Sequence, residues 1–351
     1  MRADSSARDL GKFLTVGRPA PATPAEPVST GKLELQPRSR ITFKESIVAD
    51  RAFRTMVIAC AVALLAIVAL IFVELVLQSH LSISKFGFKF LTKTIWDPVS
   101  DDFGALPAIY GTLVSSFLAL LIAVPLSVGT ALFLTEICPR QIRPVLSLLV
   151  ELLAAIPSVI YGLWGIFVLA PFLRSDVEPI LEKTLGWTGL FSGPKYGIGM
   201  LAAGVILAIM ILPIIASITR EVITAVPRQQ REAALALGAT KWEMLRMAVL
   251  RNARPGIFGA TILGLGRAFG ETMAVTMVIG NRPEISKSLF APGYTLASVI
   301  ANEFTEAVEN VHLSAIVEMA LILFVLTLIV NALAGFLVWS ITRGMPARSL
   351  A

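Results

Sequence analysis

Apolar residues gather in long runs separated by short polar stretches, and most of the runs exceed what a buried helix of a water-soluble domain needs. Six of them predict membrane helices over residues 56–77, 106–135, 144–173, 196–219, 255–280 and 313–341. Pro125 falls inside the second run and predicts a kink unless the freed carbonyl is re-satisfied, Glu151 and Pro157 interrupt the third, and Pro213 lies near the end of the fourth. Residues 79–105, with Trp96 as an interfacial anchor, and 174–196 read as polar loops. Over 295–311, Leu296, Ile300, Phe304 and Val308 recur every four residues beside Glu303, Glu306 and Glu309. That spacing predicts an amphipathic helix on the outer surface. Residues 1–50 have no sustained periodicity and read as a disordered extension, with Ile41–Phe53 as a possible interfacial helix. The membrane domain is placed at 51–345 and a short tail at 346–351.

Composition agrees with the pattern. The 351 residues are 56% hydrophobic and 15% charged, with a mean hydropathy of +0.78, which excludes an ordinary soluble domain. The net charge of +6 is therefore read by location and not as a nucleic-acid footprint. With both termini inside, the inner segments hold 21 of the 30 lysines and arginines, the outer loops hold 8, and Arg267 is the remaining one. The excess orients the chain with both ends in the cytoplasm. Cys60 and Cys138 offer neither a disulfide framework nor a metal spacing. His80 and His312 read as interfacial residues, Glu74 as a span-end residue without a role and Glu318 as a residue near the outer end of the last span, while Glu151 either lines a path or, the preferred reading, pairs near the cytoplasmic boundary.

Two features at 227–281 carry candidate chemistry. The first is a polar helical hairpin at 227–252. Pro227 suits a helix start, 228–237 are mostly good helix formers, and Gly238 sits where a left-handed residue ends a helix. Thr240 and Glu243 fit a capping box for a second helix running to about Val249, after which Pro255 opens the fifth span. Ala233, Ala234, Ala236 and Ala239 keep the first helix thin enough for a partner's groove, although an ordinary solvated hairpin fits the spacing equally well.

The second feature is a pair of charges in the fifth span. Counted from Pro255, Arg267 lies about 18 Å along the helix at ~1.5 Å per residue, near the middle of a ~30 Å hydrocarbon core. Glu271 follows one turn later, close enough to pair. A central charge costs about 2.5–3.5 kcal/mol on insertion scales, so neither side chain belongs against lipid. Gly266, Gly270 and Ala274 form a neighbouring small-residue stripe that predicts close packing of another helix. Either the pair only fixes the bundle, or it borders a path for an anion. Arginine suits a tetrahedral oxyanion because its planar fork makes parallel charge-assisted hydrogen bonds. Thr272 and Thr276 lie on a different face. Gly264, Gly266 and Gly270 do not have dinucleotide-fingerprint spacing, and no phosphate-binding Gly-x-x-x-x-Gly-Lys-Ser/Thr occurs, so ATP hydrolysis would fall to another chain.

Glu232-Ala233-Ala234 followed by Gly238 resembles the EAA loop of ABC importer permeases, and Gly270 through Asn281 resembles the PstC-type subunit of phosphate-specific permeases. The resemblance spans roughly residues 50–345, with one departure: Leu250 is followed by Arg251 where the family commonly has proline. It implies an all-α polytopic membrane protein of six transmembrane helices with a cytoplasmic coupling loop, the type I ABC importer permease fold, in a bacterial inner membrane. It further implies that Glu232, Ala233, Ala234 and Gly238 engage a cytosolic ATPase, and that Arg267, Glu271, Thr272 and Thr276 border the substrate path. The implied partners are a PstA-type second permease, two ATPase copies, an extracytoplasmic phosphate-binding protein and the bilayer, with no nucleic acid. ATP and magnesium would belong to the ATPase, leaving this chain without cofactor, metal or catalytic residue. A permease for a related oxyanion, an ion-coupled carrier without an ATPase and a phosphate-signalling scaffold are the alternatives.

Overall fold

A computed structural model describes residues 43–342. The expected N-terminal extension lies outside them as far as residue 42, and the expected C-terminal tail, 346–351, lies outside them entirely. By contact the chain divides into 1–63 and 64–351. The described part of the first unit is the beginning of helix α1, Phe43–Gln78, which starts well before the predicted Met56.

Beyond α1 come two short helices, α2 (His80–Phe86) and α3 (Lys89–Thr92), and a two-stranded antiparallel ribbon pairing Trp96 with Phe103. The remaining helices are α4 (Leu106–Ile137), α5 (Arg143–Ala155), α6 (Ser158–Thr188), α7 (Met200–Ala225), α8 (Arg228–Ala236), α9 (Lys241–Phe269), α10 (Met273–Ile279), α11 (Leu296–Glu303) and α12 (Asn310–Thr342). Among the described residues five helices are long and apolar enough to cross a membrane, or six if the bent pair α9–α10 is one span.

Helix α7 is the hub, packed on α4 and α9 with Ile206, Ile211 and Ile215 fully enclosed. Small residues bring these backbones together, because lipid is as apolar as the core and close packing has to supply the attraction. A β-carbon on Gly204 would meet Leu118, one on Gly256 would meet Val222, and one on Gly264 would meet Ile215. Beside Pro125 and Pro213, Ser127 Oγ donates to the Leu212 carbonyl at 3.0 Å and ties α4 to α7.

The third span differs from the expectation. Residues 144–173 are not one helix, because the chain breaks before Pro157, with Ile156 held extended. Helix α5 becomes a separate element with no buried residue, closed by the Tyr161 hydroxyl donating to the Leu153 carbonyl. The apolar helix starts at Ser158 instead and runs on to Thr188 through two π-helical stretches, Gly165–Leu169 and Leu173–Val177. It thereby absorbs part of the predicted 174–196 loop. The buried Glu178 carboxylate accepts the Gly197 N–H, at 3.2 and 3.4 Å, and pins what is left of that loop.

Pro255 does not open the fifth span either. Helix α9 passes through it, and a π-helical stretch at Leu245–Leu250 lies just ahead. Local π widening is one way a helix accommodates proline and its freed carbonyl.

The predicted 295–311 surface helix is shorter and buried at its start. Thr295 and Ser298 cap α11 reciprocally, Leu296 and Val299 enter an aromatic cluster with Phe90, Phe103 and Tyr294, and the helix ends at Glu303. His312, at the start of α12, is buried, stacked on Phe103 at 5.1 Å and 3.4 Å from Glu303. Burial pushes the Tyr294 phenol up to about 12, and the neighbouring Glu303 carboxylate adds to the shift while a hydrogen bond from Asn302 opposes it.

Candidate functional site

The fifth span breaks where the sequence concentrates its charge. Helix α9 stops at Phe269, α10 begins at Met273, and the two axes differ by 66°. Glu271 occupies the break, 5% exposed, and its Oε1 accepts the Ala274 N–H at 3.4 Å. A carboxylate there satisfies one of the unpaired amides that open a helix, which helps the chain restart in a new direction. Arg267 stands one turn earlier with half of its side chain exposed, and Nη2 lies 3.6 Å from Glu271 Oε2. That distance gives Coulomb attraction but exceeds a hydrogen bond. Glu271 is the one charged partner of Arg267 among the described residues, so most of the guanidinium's donor capacity stays open.

The small-residue stripe does not hold together across this break. Ala274 goes into the core, where Gly162 of α6 approaches it, whereas the space next to Gly266 is open. Gly266 and Gly270 line a cavity of about 470 Å³ with Val68, Leu75, Phe324 and Asn331. Thr272 and Thr276 follow the bend. The Thr272 hydroxyl donates to the Gly270 carbonyl at 3.4 Å and the Thr276 hydroxyl to the Thr272 carbonyl at 2.7 Å. The structure therefore joins Arg267 to Glu271 but leaves both threonines bonded to backbone.

The hairpin has the predicted local chemistry. Helix α8 spans Arg228–Ala236, and Gly238 follows at φ +84°, a conformation that other residues adopt only under strain. Thr240 and Glu243 make the reciprocal capping box, and Gly238 N–H donates to the Leu235 carbonyl at 3.0 Å. Glu232, Ala233 and Gly238 are exposed, while Ala234 leans on a local core of Ile223, Met244, Ala248 and Val249. Leu237 and Trp242, 89% and 63% exposed, add an apolar surface that the sequence reading did not single out. Their signal was present, since a polar hairpin has little reason to carry a tryptophan next to its cap.

Ion pairs anchor the base of this hairpin. Arg231 Nη2 donates to the Ile223 carbonyl at 2.7 Å and sits 3.2 Å from Glu136 at the end of α4. Arg220 on α7 bonds Glu151 on α5 at 2.9 Å, so Glu151 is paired. Asn252 bonds Gln230 across the hairpin. Arg231 also went unnoticed in the sequence, although it lies one turn before Ala234, on the face that packs inward.

A helical membrane bundle with a capped polar hairpin leading into a broken, charged span defines a polytopic permease. Residues 123–343 match the binding-protein-dependent transport system inner membrane component, and the chain belongs to that family. It is a transporter permease subunit and not itself an enzyme. It is 49% identical over 304 residues to the phosphate transport system permease protein PstC of Mesorhizobium japonicum, covering 86% of this chain and 93% of that one. The PstC of Haemophilus influenzae is 44% identical, covering 86% and 96%, and PstC 2 of Mycobacterium tuberculosis is 43% identical, covering 81% and 90%. A bacterial ABC transporter involved in import of the acidic polysaccharide alginate superposes with a TM-score of 0.58 at 17% identity, over 85% of this chain and 99% of that one. This last likeness is one of fold.

Proposed function

We propose that the chain is the PstC-type permease subunit of an ATP-driven importer and carries inorganic phosphate across the inner membrane. It works with a PstA-type second permease, two copies of a cytosolic ATPase that binds ATP and magnesium, and an extracytoplasmic phosphate-binding protein. Both termini and the 227–252 hairpin face the cytoplasm. Glu232, Ala233, Ala234 and Gly238 form the surface that the ATPase pushes on, and Leu237 and Trp242 widen it.

The observation that carries the route is the exposed guanidinium of Arg267 beside the buried carboxylate of Glu271, at the bend of the fifth span. Glu271 offsets the charge of Arg267 when no anion is present. A passing oxyanion takes the unused guanidinium donors in charge-assisted hydrogen bonds. A protonated phosphate also donates to Glu271, which fully ionised sulfate does not do. Thr272 and Thr276 border the path through their hydroxyl oxygens.

The test is reconstitution of the complex, comparing its ATPase with phosphate, sulfate and molybdate binding proteins. Stimulation is expected with the phosphate-loaded protein; equal or greater stimulation by another would move the substrate to that oxyanion. Arg267→Gln is expected to lower uptake more than about tenfold, the scale of charge-assisted bonds, while the complex still assembles. Unchanged uptake in this variant would refute the route.

A further inference from the structure

An apolar cavity of about 440 Å³ lies away from the charged bend, against the first half of α12. Leu321, Ile322, Val325 and Ile329 line it as a stripe along that helix, and Leu91 of α3 and Phe88 just before it close the cavity. The one charged lining residue is Glu318, at the head of the stripe. Its side chain is only 6% exposed, and Oε2 has no hydrogen-bond partner. The Ser82 hydroxyl is the nearest donor to this carboxylate, yet neither Ser82 Oγ nor Glu318 Oε2 completes a hydrogen bond within normal geometry. A buried carboxylate oxygen left unsatisfied is costly, and a site of this kind accommodates a cation or a donor from outside the chain.

The position of Glu318 narrows the choice. Helix α12 has 33 residues, or about 50 Å at ~1.5 Å each, against a hydrocarbon core of ~30 Å. Centred in the bilayer, it leaves about 10 Å beyond the core at each end. Glu318 is eight residues past Asn310, about 12 Å along the axis, and so falls at the boundary between headgroups and acyl chains. The apolar stripe then runs from that boundary into the acyl region.

We propose that this cavity binds a phospholipid with a primary-amine headgroup, its ammonium on Glu318 and one acyl chain along the stripe from Leu321 to Ile329. An anionic headgroup without an amine meets an uncompensated carboxylate there and is disfavoured.

The assembled complex in mild detergent, titrated with phosphatidylethanolamine or phosphatidylglycerol of matched chains and read by native mass spectrometry, tests this. One ethanolamine lipid is expected to bind about tenfold more tightly than its glycerol counterpart, the scale of one charge-assisted hydrogen bond. Glu318→Gln is expected to remove that preference while keeping the weaker binding, and Val325→Trp to remove both by filling the cavity. Equal binding of the two lipids by the unaltered complex overturns the proposal without reference to any variant. So does a preference that survives Glu318→Gln. A photo-crosslinker placed at Ile322 is expected to capture lipid; capture of a partner subunit's helix instead would mean that a protein fills the cavity.

Discussion

Arg231 shows how one side chain binds distant segments together. It reaches back from α8 to the Ile223 carbonyl and across to Glu136 on α4, so movement of the hairpin bears on two spans at once. Both partners are mostly enclosed, their side chains 21% and 15% exposed. Removing one leaves the other uncompensated, which costs more than the pair contributes when intact. Arg231→Gln and Glu136→Gln are each expected to reduce uptake per ATP hydrolysed severalfold, and the exchanged pair Arg231→Glu with Glu136→Arg to restore part of it. Uptake coupled normally in both single variants would show that the contact transmits nothing. Gly111 makes a different demand, since a β-carbon there would come within 2.1 Å of the Tyr294 carbonyl. Gly111→Ala is expected to destabilise the fold by about 1–3 kcal/mol, seen as a lower Tm of the purified complex. The charged pair at 267 and 271 was legible as residues, because two charges in an apolar run stand out. The half-exposure of one and burial of the other were not legible, because the bend at Gly270 decides them.

The hairpin was the most legible element. Its proline, its glycine at a left-handed turn and its capping box act through neighbours in sequence, and such local interactions need no tertiary context. The exposed apolar surface at Leu237 and Trp242 sharpens what it does. Tryptophan carries a large share of the energy in many interfaces. Trp242→Ala and Leu237→Asp are each expected to weaken ATPase co-purification by more than about tenfold, with the hairpin's helicity retained. Undiminished co-purification would show that the docking surface lies elsewhere. Less legible were helices whose polarity changes along their length. Helix α6 runs through Arg174, Ser175 and Asp176, which read as a loop because composition does not reveal that the helix continues. Helix α11 shows the reverse error, where a four-residue apolar spacing implied a longer surface helix than exists. Its second half is replaced by a turn after Glu303, and its first turn is drawn into the aromatic cluster.

For the whole molecule, the placement of lysine and arginine predicts which side each connection faces. In a variant lacking Cys60 and Cys138, a cysteine at Gly238 is expected to react with an impermeant thiol reagent only from the cytoplasmic face. One at Lys287 is expected to react only from the opposite face. Labelling of both from the same side would invert or break the proposed topology. The membrane class and most of the apolar helices followed from the sequence alone, because a ~30 Å core demands about twenty apolar residues per helix whatever surrounds them. Capping and turn chemistry were likewise written locally, in Pro227, Gly238, Thr240 and Glu243. The break at Pro157 is a local effect too, though its consequence is not: only packing shows that α5 lies along α7 while the start of α6 packs on α10. Contacts between segments far apart in the chain decided the rest: the bend that buries Glu271 and opens Arg267, the strut from Arg231 to Glu136, and the cavity floored by Glu318. In each, a charged or polar group is tolerated in an apolar setting according to what stands opposite it, and a linear pattern does not record what that is.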